Sequence, residues 1–307
     1  MARTAIGVVM AAMSLLWSAT AAGQSVVYWT PAHEWAPTGL LGCIAAGDLD
    51  GDGDDDLASF EWCGLYWNMG CPGPPAWQLQ TNVFPDARPF GCHGGAGTLG
   101  DIDGDGDLDL IYGCYECCSL RVFWNVGTPQ VPAWQYGGAV PGNPYAGHYS
   151  YAQLADIDGD GDLDILVMAS CGAVGVCEND GTPAAPYWLP VVMIPGVGGF
   201  GNGAFSLADL DGDGDLDIVG GSPFSRVKCW ENVGTPQVWN YVRNDAMLTG
   251  VTTATVGVYG VAFPDVDCDG DPDLVIVTRT DGVHLYLNEQ ITPVGSGTWG
   301  TIKALYR

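Results

Sequence analysis

The segment Asp48-Leu49-Asp50-Gly51-Asp52-Gly53-Asp54-Asp55-Asp56 puts six carboxylates into nine residues, and the chain repeats the pattern four more times. The copies begin at Asp48, Asp101, Asp156, Asp209 and Asp265, at intervals of 53, 55, 53 and 56 residues. A nearly constant period of this size belongs to an array of like supersecondary units or to a propeller. Each copy also carries an electrostatic problem. Two carboxylates about 5 Å apart repel by roughly 3 kcal/mol at an effective dielectric near 20, so a compact loop of this kind calls for a cation.

The spacing indicates which cation. Aspartates at loop positions 1, 3, 5 and 9 can turn oxygens toward one centre, position 7 can add its backbone carbonyl, and glycines at positions 4 and 6 permit the tight turn. The candidate ligand residues are Asp48, Asp50, Asp52, Asp54 and Asp56 in loop one, and Asp101, Asp103, Asp105, Asp107 and Asp109 in loop two. Loop three offers Asp156, Asp158, Asp160, Asp162 and Asp164, loop four Asp209, Asp211, Asp213, Asp215 and Asp217, and loop five Asp265, Asp267, Asp269, Asp271 and Asp273. Hard, charged, all-oxygen ligation selects Ca²⁺ over the transition metals, at up to one ion per repeat. An EF-hand would need a bidentate Glu at position 12 and flanking helices. Position 12 is instead Ser59, Tyr112, Val167, Gly220 and Ile276, and the flanks are strand-like.

Each loop leads into a short apolar run, such as Ile165-Leu166-Val167-Met168 or Leu274-Val275-Ile276-Val277. A turn element follows, seen as Trp124-Asn125-Val126-Gly127-Thr128-Pro129 and Trp230-Glu231-Asn232-Val233-Gly234-Thr235-Pro236, with Gly for a positive φ and Pro to fix the exit. A Trp then recurs at 77, 134, 188, 239 and 299, expected to pack between units. The unit thus reads as four strands in about 54 residues, the content of one propeller blade. An all-β propeller of five blades is expected, with six or seven as the alternative if some are degenerate. Two segments compete to close the ring, Val26–Pro31 at the N-terminus and Thr298–Ile302 at the C-terminus.

The Asp-x-Asp-Gly-Asp-Gly-x-x-Asp loop, its following Leu or Ile and the downstream Asn-x-Gly-Thr-Pro resemble the FG-GAP or VCBS repeat family, which includes the integrin alpha-subunit propellers. The resemblance spans residues 26–307. It implies a blade loop that holds Ca²⁺ on one face of the ring, and it carries over to the loop aspartates only. Loop five departs from the pattern, with Cys268 at position 4 and Pro272 at position 8, yet keeps Asp265, Asp267, Asp269 and Asp273.

Twenty-six of the 36 acidic residues lie in the loops, so the formal charge of -27 is local ligand chemistry. Five Ca²⁺ ions would leave about -17, which still argues against nucleic acid or an anionic membrane as partner. Residues 1–22 read as a secretory signal peptide, with Arg3, an apolar run Ala5–Trp17 and a small-residue end; residues 23–307 read as a single propeller domain. The expected product is exported, extracellular or periplasmic, monomeric and not inserted in a membrane.

Eleven cysteines in an exported chain suggest disulfides, with local hairpin staples at Cys171/Cys177, Cys114 with Cys117 or Cys118, and Cys63/Cys71. The four histidines, at 33, 93, 148 and 284, fall in unrelated contexts and in no catalytic frame. Every recurring polar residue is thereby absorbed by metal or turn chemistry. The expected function is a non-catalytic binding or adhesion module for an extracellular protein or glycan. The alternative is a polysaccharide lyase or glycosidase using residues that do not repeat.

Overall fold

The computed structural model describes residues 27–288, apart from 41, 61–63, 71, 85–95, 114–119, 130, 141–150, 169–171, 184, 253–256 and 280–281. Residues 1–22, expected to be a signal peptide, Thr298–Ile302 and Trp299 lie outside the described residues, as do His93, His148, Cys63, Cys71, Cys114, Cys117, Cys118 and Cys171.

Twenty strands form five four-stranded antiparallel sheets. Strand β1 covers Trp29–Pro31. Blade one is β2 (Ile44–Gly47), β3 (Asp56–Ser59), β4 (Gly64–Asn68) and β5 (Trp77–Thr81), and blade two is β6 (Gly97–Gly100), β7 (Asp109–Gly113), β8 (Leu120–Asn125) and β9 (Trp134–Ala139). Blade three is β10 (Tyr151–Ala155), β11 (Asp164–Met168), β12 (Val174–Cys177) and β13 (Val192–Met193). Blade four is β14 (Ala204–Ala208), β15 (Asp217–Gly221), β16 (Lys228–Asn232) and β17 (Tyr241–Arg243). Blade five holds β18 (Val258–Ala262), β19 (Leu274–Thr278) and β20 (Gly282–Asn288). The innermost strands touch in cyclic order β2, β6, β10, β14, β18 and back to β2, so the ring of five blades is closed.

Burial explains why the second strands read as unbroken apolar runs. Strands such as β7, β11 and β19 are buried along their whole length because another blade covers each face. The outermost β9 alternates half-buried and exposed residues, as a strand with one wet face must. The recurring tryptophans pack where blades meet: Trp77 joins the core between blades five and one, Trp134 that between blades one and two, and Trp188 that between blades two and three.

The N-terminal segment closes the ring. Strand β1 pairs antiparallel with β20, with Trp29 opposite Asn288 and Pro31 opposite Tyr286, and supplies the fourth strand of blade five. Trp29 is wholly buried and donates its indole N–H to the Met247 carbonyl at 2.8 Å, tying the clasp to the end of blade four. The clasp also brings together two histidines that the sequence places in unrelated contexts. The His33 ring meets His284 edge-on at 5.1 Å and Tyr286 at 5.0 Å, and its Nδ1 lies 3.1 Å from the Leu285 carbonyl.

Two expectations fail. Cys177 is a free thiol, not half of a Cys171–Cys177 staple. Its side chain is buried in the core between blades two and three, with Sγ 2.9 Å from the Leu189 carbonyl, and burial pushes the thiol up to about 11. The glycine of the Asn-x-Gly-Thr-Pro turn is also there for a different reason. Gly127, Gly181 and Gly234 are absent from the positive-φ residues; a Cβ on Gly234 would sit 2.2 Å from the Val238 carbonyl, and one on Gly127 2.3 Å from that of Val131. Close backbone approach, not handedness, excludes a side chain there.

Candidate metal centres

All five acidic loops join the first and second strands of their blades, so they fall on one face of the ring. Position 1 organises the turn. In loop one the Asp48 Oδ1 accepts the N–H groups of Gly51 (2.7 Å) and Asp52 (3.1 Å), and Oδ2 accepts that of Gly53 (3.1 Å). Asp101, Asp156 and Asp209 repeat the same three bonds in loops two to four. The glycines at positions 4 and 6 have positive φ, 76° and 99° at Gly51 and Gly53, which is the conformation that wraps these amides around the carboxylate. In loop five Cys268 adopts the same conformation at φ 60° despite its side chain, and the Gly270 N–H still reaches Asp265 Oδ2 at 3.1 Å.

Position 9 anchors the loop to the blade. Asp56 is 1% exposed; its Oδ2 accepts the Leu49 N–H at 3.1 Å and its Oδ1 the Asn68 N–H at 2.9 Å. Asp109, Asp164, Asp217 and Asp273 make the same two bonds, the second always to an Asn that ends the third strand or, for Asn179, lies just beyond it. That Asn turns its own side chain to the following turn: Asn232 Oδ1 accepts from Gly234 (3.1 Å) and Asn240 (2.9 Å), and Asn125 and Asn179 do likewise.

The turn then reaches the loop of the preceding blade. Gln237 donates to the Asp158 carbonyl at 2.7 Å and the Trp239 indole to the Ile157 carbonyl at 3.1 Å, both from blade four to loop three. Asn68 Nδ2 reaches the Val266 carbonyl at 3.2 Å, and Gly73 N–H the Asp267 carbonyl at 3.3 Å, from blade one to loop five. Asp55, which holds position 8 of loop one where other loops have Leu or Pro, accepts the Asp265 N–H at 2.9 Å. Loops one, three and five are therefore also seams between blades.

Within each loop three carboxylates converge, their ligand oxygens within 4.8 Å of one another. The groups are Asp48/Asp50/Asp52, Asp101/Asp103/Asp109, Asp156/Asp158/Asp164, Asp209/Asp211/Asp213 and Asp265/Asp267/Asp269. Positions 1 and 3 thus always take part, joined by position 5 or position 9. The position 7 side chains of Asp54, Asp107, Asp162, Asp215 and Asp271 stand outside these groups, and each donates its N–H to the position 5 carboxylate.

Electrostatics make these groups receptive to a cation. Burial is the largest cause that pushes Asp56, Asp217 and Asp273 up to about 8 and Asp109 and Asp164 up to about 7, with neighbouring loop carboxylates adding to it. Burial likewise raises Asp209 and Asp211 to about 6. A bound divalent ion inverts this situation, since it stabilises the charged form that burial penalises. The donor set of hard oxygens, the converging triplets and the penalised charges all fit such an ion.

The sequence profile described as the FG-GAP-like repeat matches residues 101–167, 156–220 and 209–276, more than half of the chain. The chain belongs to the FG-GAP-like repeat family. Each FG-GAP-like match runs from one acidic loop through the second strand of the next blade, so the profile is centred on the unit described above. Several solved structures are similar to this chain. The Photorhabdus luminescens Tc holotoxin pore matches at 16% identity and TM-score 0.42, over 86% of this chain and 14% of that one. A lectin from Agrocybe aegerita, whose structure concerns recognition of non-reducing terminal N-acetylglucosamine, matches at 21% and 0.44, over 81% and 64%. BBS1N in complex with ARL6DN matches at 12% and 0.42, over 88% and 100%. The chain therefore spans about a seventh of the toxin chain and under two thirds of the lectin. No protein of curated function matches the sequence.

Proposed function

We propose that this FG-GAP-like propeller is an exported Ca²⁺-binding module that presents a non-catalytic binding surface to an extracellular protein or glycan. The observation that carries the reading is the repetition of one converging carboxylate triplet per blade, with loops one, three and five also bonded to a neighbouring blade. A group copied five times around a ring serves the ring. Position 7 contributes its backbone carbonyl and positions 1, 3, 5 and 9 their carboxylates, an all-oxygen set suited to Ca²⁺. Export follows from the signal-like residues 1–22 and is compatible with extracellular Ca²⁺ levels. Among the described residues no helix is long and apolar enough to cross a membrane.

The test is binding of the purified, Ca²⁺-loaded protein to glycan and extracellular-protein arrays, beside turnover assays on a polysaccharide panel. Saturable binding lost on chelation and restored by Ca²⁺ is expected. Release of reducing ends or unsaturated products would replace this reading with the enzymatic one.

A further inference from the structure

Position 4 of the acidic loop is Gly51, Gly104, Gly159 and Gly212 in four copies, all at φ 75° or 76°, and Cys268 in the fifth, at φ 60°. A side chain is costly in that left-handed conformation, so a cysteine there calls for a reason that lies in its sulfur. Cys268 is disulfide-bonded, whereas the other described cysteines, Cys43, Cys177 and Cys229, are free thiols. Its partner is therefore one of the seven cysteines outside the described residues.

Neighbouring contacts indicate which one. The Cys268 Sγ lies 4.0 Å from the Gly53 carbonyl, so the side chain is turned from blade five toward loop one. Asn68, three residues before Cys71, donates from Nδ2 to the Val266 carbonyl at 3.2 Å, and Gly73, two residues after it, donates its N–H to the Asp267 carbonyl at 3.3 Å. Position 71 is thus flanked on both sides by bonds to the two residues directly before Cys268. Strand direction excludes the other six. In each blade the third strand returns to the loop face, so the turns between second and third strands, with Cys63, Cys114, Cys117, Cys118 and Cys171, join strand ends on the opposite face. Cys92 lies in the connection that enters β6 from that same opposite face. A strand of four or five residues at about 3.3 Å each is roughly 13–17 Å long, while bridged cysteines need their Cα atoms within about 7 Å.

We infer that Cys268 is bonded to Cys71, a covalent bridge from loop five to the turn after the third strand of blade one, in place of the Cys63/Cys71 hairpin staple expected from the sequence. The bond locks the seam between the chain's first and last blades, beside the noncovalent clasp of β1 on β20. It encloses residues 71–268, and with them the whole of blades two, three and four. Cross-linking so long a loop removes much of the freedom of the unfolded chain. It also fixes Cys268 at φ 60°, holding by a bond the turn that the other loops obtain from glycine. Opening it takes two equivalents of a thiol reductant. One thiolate attacks a protein sulfur, forms a mixed disulfide and releases the other cysteine as a thiol; a second thiolate attacks the mixed disulfide, frees the remaining cysteine and leaves the reductant as its own disulfide. This inference rests on the proposed export, because such a bond persists in an oxidising compartment.

The experiment maps the linkage in the full chain, equilibrated with Ca²⁺ in an oxidising glutathione buffer, alkylated at its free thiols and digested with chymotrypsin without reduction. Cleavage at Tyr66 and Trp67 separates Cys63 from Cys71. Mass spectrometry should find a cross-linked peptide pair that holds Cys71 and Cys268 and that disappears on reduction. Melting curves of Cys268→Gly, Cys71→Ser and the double variant supply a second readout. Each single variant should melt roughly 4–10 °C below the oxidised wild type, and the double variant no lower than the less stable single one. Cys268 linked to any other cysteine, no cross-link at Cys268, or losses that add in the double variant would each overturn the assignment. Because the glutathione buffer supplies the oxidant in vitro, failure of the linkage is distinguishable from failure of export, which is read separately as secretion of the full chain by cells.

Discussion

Asp217→Asn separates what position 9 does with and without metal. The carboxylate is 1% exposed and accepts the Leu210 N–H at 3.1 Å and the Asn232 N–H at 2.8 Å. In saturating Ca²⁺ it is ionised, and hydrogen bonds to a charged group contribute about 1.5–3 kcal/mol each. Asn keeps one acceptor, turns an NH₂ toward an N–H, and removes a charge beside the ion, so about 3–5 kcal/mol should be lost. Without metal, burial holds the Asp217 carboxyl up at about 8, so at pH 7 it is mostly protonated and Asn is close to an isostere. The cost there should fall to about 1 kcal/mol or less. Thermal unfolding of wild type and variant, each with Ca²⁺ and with chelator, reads the difference. At roughly 2 °C per kcal/mol for a domain of this size, the variant should lose about 6–10 °C with Ca²⁺ and about 2 °C or less without. Equal losses in the two conditions would refute the coupling between position 9 and the ion.

Other consequences are as direct. Asp56, Asp109, Asp164, Asp217 and Asp273 have folded-state values of about 7–8 against an ordinary 3.8, so without metal the folded chain binds more protons than the unfolded one. That stabilisation is complete below about 3.8 and disappears as pH rises through 7–8, so the chelated protein should melt higher at pH 5 than at pH 8; with Ca²⁺ the order should reverse, because protons displace the ion, and parallel slopes would contradict this. Gly234→Ala forces a Cβ to 2.2 Å from the Val238 carbonyl and should lower stability by about 1–3 kcal/mol with or without metal, measured by urea denaturation. Trp29→Ala should cost about 3–5 kcal/mol in the same assay, because it empties the clasp that closes the ring. The Cys177 thiol should resist alkylation in the native protein and react only on unfolding; rapid native labelling would show that it is not buried as described.

The loops and second strands were legible because their causes are local. Five aspartates at alternate positions with two glycines specify a turn, and Ile165–Met168 or Leu274–Val277 can only be strands covered on both faces. The clasp was half legible: Val26–Pro31 looked like a strand, but its pairing with β20 depends on ring closure, which no local pattern encodes. The Asn of the turn was visible as a repeat, yet its link to position 9 of its own loop needed the third strand in place. The glycine beside it is ambiguous in the sequence, since close backbone approach and positive φ leave the same letter. Gln153, on the innermost strand of blade three, is hidden in the sequence because it does not repeat, and the central cavity it lines exists only once five blades are assembled.

The five acidic loops are proposed to hold Ca²⁺, and the ion to stabilise the ring. Calorimetric titration of chelator-stripped protein with Ca²⁺, followed by a melting curve at each step, tests it directly with controlled free metal. Up to five ions per chain are expected, with a melting temperature that climbs with occupancy and poor replacement by Mg²⁺, whose small octahedral shell does not suit these loops. A melting temperature indifferent to chelation and to millimolar Ca²⁺ would contradict it.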